Sequence, residues 1–381
     1  MWPGGVPPGA GRASIGLDLV CLVDGGGAGG EASAKGISRR RVDSGPPGKV
    51  GRADRPPGSV IEMNTQTESG RQQRTVLLPS PRAFCAGVER AIQMVENLVE
   101  AAAEPIFVRK QIVHNTHVVR QFEEHGVVFV DELDEVPDGA TVVFSAHGVA
   151  PGVWEQAAAR NLTVIDATCP LVSKVHAQTR RFAARGDTVV LIGHADHEEV
   201  VGTLGQVPQS TVLIQNAADA RGLQVSDPSR VSYVTQTTLG MDEVGEVIEA
   251  LRERLPLLQE PPSDDICYAT TNRQDAVRAV LDECDLLLVI GSANSSNSLR
   301  LVELAARHGV AAHLIDGAGD IDPAWLRNAG TVAVTAGAST PPILVDEVVA
   351  NVAQAGPITV VERPVTVEDV HFSPPRRTLA P

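Results

Sequence analysis

No stretch of the chain approaches the roughly 18 uninterrupted apolar residues that a membrane-spanning helix needs, although 43% of its 381 residues are hydrophobic. The sequence therefore predicts a soluble globular protein with a sizeable core, and length alone allows about two or three domains. Positive charge is scarce: 32 Lys and Arg stand against 47 Asp and Glu, a formal net charge of −15. That balance argues against nonspecific binding to nucleic acid or to an anionic membrane. Cysteines are few, five in all, and an odd, widely spaced set does not make a disulfide scaffold. It points instead to reduced thiols in a cytoplasmic setting. Close C-x2-C pairs, the usual sign of structural zinc, are missing. So are the Walker and dinucleotide glycine fingerprints, and neither ATP nor NAD is indicated.

What is present begins with an irregular stretch. Residues 1–62 hold 15 Gly and 7 Pro with no sustained period of 2 or 3.6, too little apolar surface to offset the entropy of ordering. We expect a disordered extension over 1–73. It carries 8 Lys and Arg against 6 Asp and Glu, so the acidity belongs to the rest of the chain. Ile15–Val23 is too short, and too interrupted by Asp18, for a secretory signal, and the acids disfavour a transit peptide. Met63 reads as a natural alternative start, and Cys21 as inert.

From Thr75 a regular pattern sets in: a short β-branched run, a polar or glycine-rich loop, then an amphipathic helix. About twelve such strands alternating with helices predict parallel sheets covered on both faces. Asp264–Cys267 is among the expected strands and Asn272–Glu283 among the expected helices. The expected units are α/β domains over 74–169, 170–264 and 265–362, with the first strand able to pair with the third domain. The tail 363–381 carries few signals, and beyond Glu362 it should pack loosely or not at all.

Three cysteines share one local setting. Cys169 lies between the apolar Leu162–Ile165 and a helix that starts near Pro170; Cys85 follows Val76–Leu78 and precedes Gly87; Cys267 sits in Asp264-Asp-Ile-Cys-Tyr-Ala-Thr-Thr-Asn-Arg-Gln274. At a helix start the free amides and the dipole favour a thiolate, which can bind a metal. One cysteine so placed is more often a small buried hydrophobe; three reverse that preference. Cys284 ends an apolar helix and reads as core. Zinc is one reading. An iron-sulfur cluster tolerates wide spacing better, and three thiolates for four irons would leave one iron open to a ligand.

In parallel α/β sheets, ligands bind beyond the carboxyl ends of the strands. Those loops carry His114, His147, His197 with Glu198 and Glu199, then Thr237 and Thr238, then Ser295, Ser296 and Asn297, and finally Ser339. Each of these would serve alone as a helix cap. Repeated over six loops, hydroxyls, amides and imidazoles at helix starts suit a phosphate or diphosphate held without a lysine cradle. Glu199, beside His197, is a candidate acid, with Glu198 the competing carboxylate.

Taken in order, Phe84-Cys85-Ala-Gly87, Ile112-Val-His114-Asn115, Phe144-Ser-Ala-His147-Gly-Val149, Asp166-Ala-Thr-Cys169-Pro-Leu-Val172, Thr235-Gln-Thr-Thr-Leu239, Asp265-Ile-Cys267-Tyr-Ala-Thr-Thr-Asn-Arg-Gln274 and Asn294-Ser-Ser-Asn-Ser298 resemble the 4-hydroxy-3-methylbut-2-enyl diphosphate reductase family. The resemblance spans roughly Thr75 to Val361. It implies a cloverleaf of three α/β domains around a 4Fe-4S cluster bound by Cys85, Cys169 and Cys267. The implied reaction is reductive removal of an allylic hydroxyl from a diphosphate, giving isopentenyl and dimethylallyl diphosphates, with electrons from a donor such as ferredoxin or flavodoxin. By motif position, His114, His147, His197, Thr238, Ser295, Ser296, Asn297 and Ser339 would bind the substrate, while Thr237 and Glu199 would position its hydroxyl and deliver a proton. Two departures stand out: Ala293 where a basic residue is frequent, and Glu198 where proline is common, the latter a like charge able to raise the pKa of Glu199. A diphosphate-sensing iron-sulfur scaffold, which needs no acid, and a zinc hydrolase, colourless, remain alternatives.

Overall fold

The aliphatic runs become strands that pair almost entirely in parallel, in a computed structural model that describes residues 60–62 (backbone only), 73–101 and 105–373. Residues 56–381 form one compact unit; the other unit, 1–55, lies outside the described residues, as does Cys21. The chain runs through β1 (Val60–Glu62), β2 (Arg74–Ser80), α1 (Ala86–Ala101), β3 (Phe107–Arg109), α2 (Thr116–Glu124), β4 (Val128–Val130), β5 (Thr141–Phe144) and α3 (Pro151–Ala159). Next come β6 (Thr163–Asp166), α4 (Pro170–Ala184), β7 (Thr188–Ile192), α5 (Glu198–Leu204), β8 (Thr211–Ile214), α6 (Ala217–Gly222), β9 (Val231–Thr235) and α7 (Met241–Arg254). Last are α8 (Tyr268–Leu281), β10 (Leu286–Ile290), α9 (Ser296–Arg307), β11 (Ala311–Ile315), α10 (Pro323–Leu326), β12 (Thr331–Ala336), α11 (Ile343–Gln354) and β13 (Ile358–Pro364).

Three sheets result, in the orders β1-β13-β2-β12-β10-β11, β4-β3-β5-β6 and β8-β7-β9. Among the described residues, only the β1–β13 pair is antiparallel. Period-2 alternation explains why β10 is apolar throughout. Leu286, Leu288 and Ile290 pack on one face with Val332 and Val334. Leu287 and Val289 pack on the other with Leu77 and with Val277, Val280 and Leu281 of α8. Each such buried side chain contributes about 1.5–3 kcal/mol, so the two-sided core fixes α8 against β2. The other two sheets split their strands in the same way: Val143 and Ile165 on one side of the second, Val142 and Val164 on the other.

Three expectations need correction. Asp264–Cys267 is not a strand: α8 starts at Tyr268, four residues before the expected Asn272, and Cys267 is its N-cap. The preceding Pro261-Pro262 weakens any ladder, and Asp265 spends its carboxylate on Thr235 N and Lys174 instead. The tail does not hang free beyond Glu362, because β13 pairs with β2 from Ile358↔Arg74 to Pro364↔Ser80 and residues to Ser373 make further contacts. Its polar residues hid a strand whose stability comes from its neighbour. Within the stretch expected to be disordered, Val60–Glu62 add a three-residue edge strand; the rest of that stretch up to Gln72 lies outside the described residues. Among the described residues, no helix is long and apolar enough to cross a membrane.

Candidate active site

The loops that leave the carboxyl ends of β2, β3, β5, β6, β7, β9, β10 and β12, joined by the turn before α8, enclose a cavity of about 650 Å³, its open mouth included. All thirteen residues singled out in the sequence line it: Cys85, Cys169 and Cys267; His114, His147 and His197; Glu199, Thr237 and Thr238; Ser295, Ser296, Asn297 and Ser339. Parallel pairing aligns the strand ends, so residues far apart in sequence meet there.

Each thiol stands at a helix start. Cys85 immediately precedes α1, while Cys169 and Cys267 are the N-caps of α4 and α8. Thr270 donates its amide to Cys267 Sγ at 3.4 Å, and its hydroxyl lies 3.1 Å away. Burial nevertheless raises all three pKa values, Cys169 to about 12 and Cys267 to about 11, with the Cys85 thiol adding to both. On Cys85 burial is opposed by the Arg273 guanidinium. Partly buried thiols raised in this way ionise more readily against added positive charge, which a metal centre provides. Gly87 leaves the space: a Cβ there would lie 2.7 Å from Cys169 Sγ and 3.8 Å from Cys85 Sγ. Among the described residues no three His, Cys, Asp or Glu are grouped to hold a single ion. The thiol-lined cavity with its glycine cradle leaves room for a metal centre that Cys85, Cys169 and Cys267 could hold.

Three imidazoles line the same cavity. His114 and His147 stack with ring centroids 3.9 Å apart, and His197 stands edge-on to both at 5.2 and 5.7 Å. Burial holds His114 down to about 4 and His197 to about 3. His147 falls well below the ordinary value, from burial first and then from its two neighbours. The rings are thus neutral donors and acceptors near pH 7. His197 Nδ1 accepts from Glu199 N at 3.2 Å, which leaves its proton for Nε2.

Glu199 is 2% exposed and takes two hydrogen bonds from one residue, from Thr237 N at 2.7 Å and from Thr237 Oγ1 at 2.9 Å. Burial raises its pKa to about 7, against the lowering effect of those bonds, with Asp265 adding a smaller push upward. The like-charge push from Glu198 does not materialise as a cause. Glu198 lies elsewhere, 3.8 Å from His147 Nδ1, and is itself raised to about 7 by burial. A carboxyl that holds its proton to pH 7 beside a threonine hydroxyl can serve as a general acid.

The hydroxyl and amide loops are cross-linked. Ser295 caps α9, accepting from Ser298 N. Asn297 accepts from Ala338 N at 2.9 Å and donates to Thr270 Oγ1 at 3.3 Å; Ser339 Oγ donates to His114 O at 2.8 Å. Sequence reasoning passed over Gln236, 1% exposed, which donates to Thr238 Oγ1 at 2.9 Å and Ser296 Oγ at 3.2 Å and accepts from His194 N at 3.0 Å. Its place inside the Thr235–Thr238 loop was the only signal. Cys284 packs at the margin of the α8–β10 core, away from the cavity.

Residues 76–353 match the family described as LytB protein. The chain is 58% identical over 310 residues to 4-hydroxy-3-methylbut-2-enyl diphosphate reductase 2 of Mycobacterium bovis, a match covering 80% of this chain and 94% of that one. The solved E-1-hydroxy-2-methyl-but-2-enyl-4-diphosphate reductase from Plasmodium falciparum superposes with a TM-score of 0.74 at 36% identity, covering 81% of this chain and 96% of its own. A solved (E)-4-hydroxy-3-methyl-but-2-enyl diphosphate reductase, described as the terminal enzyme of the non-mevalonate pathway, gives 0.53 at 29% identity over 74% and 100%.

Proposed function

The chain belongs to the LytB protein family, and from that premise we propose which of its residues carry the family's chemistry. The protein is an oxidoreductase, a 4-hydroxy-3-methylbut-2-enyl diphosphate reductase acting at the last step of the non-mevalonate isoprenoid pathway. The substrate is (E)-4-hydroxy-3-methylbut-2-enyl diphosphate, and two electrons and two protons convert it to isopentenyl or dimethylallyl diphosphate plus water. One proton leaves with the hydroxyl as water and the other ends on carbon.

The observation that carries the assignment of roles is that three thiols, three imidazoles held neutral by burial and a carboxyl raised to about 7 line one cavity together. A 4Fe-4S cluster held by Cys85, Cys169 and Cys267 would supply the electrons and an iron with no protein thiol as a Lewis acid. His114, His147, His197, Thr238, Ser295, Ser296, Asn297 and Ser339 hold the diphosphate through neutral donors and helix-start amides. Thr237 orients the substrate hydroxyl, and its bonds to Glu199 fix the carboxyl beside it. Glu199 gives up its proton so that the oxygen departs as water. The electron donor is a small redox protein such as ferredoxin or flavodoxin, and the free thiols suit a reducing, cytoplasmic compartment.

The test is an anaerobic preparation assayed for iron, sulfide and visible absorption, then given reductant and substrate. Four irons and four sulfides per chain with reductant-dependent product support the reading. A colourless protein that still hydrolyses the diphosphate would sink it, and a coloured one that binds substrate without turnover would make it a sensor. Replacing Cys85, Cys169 or Cys267 with Ser should lower cluster content and activity, while Cys284→Ser should not; full iron loading and turnover in Cys169→Ser rules out the ligand assignment.

A further inference from the structure

The segment that follows β13 grips two arginines, and each of those arginines braces a cysteine turn. Arg273, on α8, is 0% exposed. It donates to Ala83 O through Nε at 3.1 Å and Nη2 at 2.5 Å, to Phe84 O at 3.1 Å and to Ala269 O at 3.0 Å. Those carbonyls belong to the turn that presents Cys85 on one side and to the first turn after Cys267 on the other. Arg90, on α1, donates to Thr168 O at 3.1 Å and Ala167 O at 3.4 Å, just before Cys169, and to Ser373 O of the tail at 3.1 Å.

The Cys85 turn needs the support. Ala83 has φ of 64°, in the left-handed region that a residue with a Cβ seldom adopts. Four contacts to three carbonyls occupy four of the guanidinium's five N–H donors but leave its charge unpaired. The carboxylate that pairs with it is Glu368, whose Oε1 lies 3.0 Å from Arg273 Nη1 and also accepts from Asn272 Nδ2 at 3.0 Å. A buried cation deprived of its partner moves toward water. Arg273 could do so only by releasing Ala83 and Phe84, after which the left-handed turn would relax.

We propose that Glu368 is a positioning residue: by neutralising Arg273 it holds the Ala83–Cys85 turn, and so fixes the Cys85 thiol relative to Cys267 in the cavity wall. This rests on the reading of Cys85 as a cluster ligand and deepens it, since the tail then governs how well the thiol set is prepared for the metal.

The test compares Glu368→Gln, Glu368→Asp and the control Glu283→Gln, which removes an exposed carboxylate paired with Arg363, in the full-length chain. After metal removal, iodoacetamide labelling is followed thiol by thiol by mass spectrometry. Glu368→Gln should label Cys85 about tenfold faster than wild type, with Cys169 and Cys267 changed by less than about twofold. Glu368→Asp should restore most of the protection, and Glu283→Gln should match wild type. Should Glu368→Gln fold poorly, Arg273→Lys, which keeps the charge but loses the fork, is expected to give the same selective pattern. In loaded protein, Glu368→Gln should release iron to a chelator faster than wild type. Equal acceleration of all three thiols, or no acceleration, overturns the proposal. Failure of the underlying reading shows separately, as full iron content in Cys85→Ser.

Discussion

Glu198 and Glu199 adjoin in the chain and part company in space, which makes their substitutions separable. Glu199→Gln keeps the size and the bonds from Thr237 but has no proton to give. It should bind substrate near normally and turn over roughly 10² to 10⁴ times more slowly, as single-turnover and steady-state rates together would show. Glu198→Gln should keep most of the rate; the reverse outcome would move the acid one residue. The pH dependence follows from the raised pKa of Glu199, about 7. An acid must be protonated, so kcat should fall as pH rises through about 7, and the Gln variant should lack that limb. The same group sets a stability slope: its folded pKa lies above the ordinary value of 4.5, so its contribution is present below about pH 4.5 and is lost as pH rises through about 7. That Glu199 is an acid candidate was readable from its neighbours in sequence. That its proton is held by burial, with Thr237 as its sole hydrogen-bond donor pair, was not, because the two residues lie 38 apart in the chain.

Helix starts are the elements that build the cavity, and two substitutions test them. Gly87→Ala places a methyl 2.7 Å from Cys169 Sγ, so it should cut iron and sulfide content while leaving inorganic diphosphate binding, measured by calorimetry, close to wild type. Ser295→Ala combined with Asn297→Ala should weaken substrate and inorganic diphosphate alike, by about 0.5–1.5 kcal/mol per neutral hydrogen bond lost and more where the ligand's charge is felt. Asn297 adds to this because its Oδ1 holds Ala338 N and thereby the Ser339 loop. Loss of turnover with both affinities intact would assign these side chains to the chemistry instead. Most strands and helices were legible from period and from Gly and Pro punctuation. Cys267 shows the limit. Ile266 and Cys267 read as the end of a strand, yet Asp265 caps another loop and pairs with Lys174, and only tertiary neighbours reveal that competition.

For the molecule as a whole, burying four histidines near the active-site end of the fold sets the acid limb of stability. His114 and His176 are held to about 4, His197 to about 3 and His147 lower than its ordinary value, burial leading in each. Between about pH 6.5 and 4 the unfolded chain takes protons that the folded chain refuses, so stability falls as pH falls through that window. The two raised glutamates oppose this, but they are outnumbered. The thermal midpoint should therefore be lower at about pH 5 than at about pH 6.5, and inorganic diphosphate, which favours imidazolium, should protect more strongly at the lower pH. A midpoint that rises on acidification would mean that the imidazoles are solvated. Removal of residues 1–55, rich in Gly and Pro, should leave activity and midpoint unchanged, whereas a cut that also takes Val60–Glu62 removes an edge strand from β13 and should lower the midpoint slightly without altering kcat.

The sequence by itself determined the class of fold, the three cysteines at helix starts and the polar loops that line the cavity, because each of these is a local matter: alternation buries a strand, a break in it starts a loop, and a helix start offers its amides. Tertiary structure decided what depends on partners distant in the chain. Pairing of β13 with β2 turned an unpromising tail into a strand. Burial, and not the neighbouring Glu198, set the proton on Glu199. Arg273 and Glu368, 95 residues apart, meet behind the Cys85 turn because α8 packs on β2 and β13, which leads to Glu368, pairs with that same strand, and no local pattern encodes a charge pair formed only when the sheet is complete.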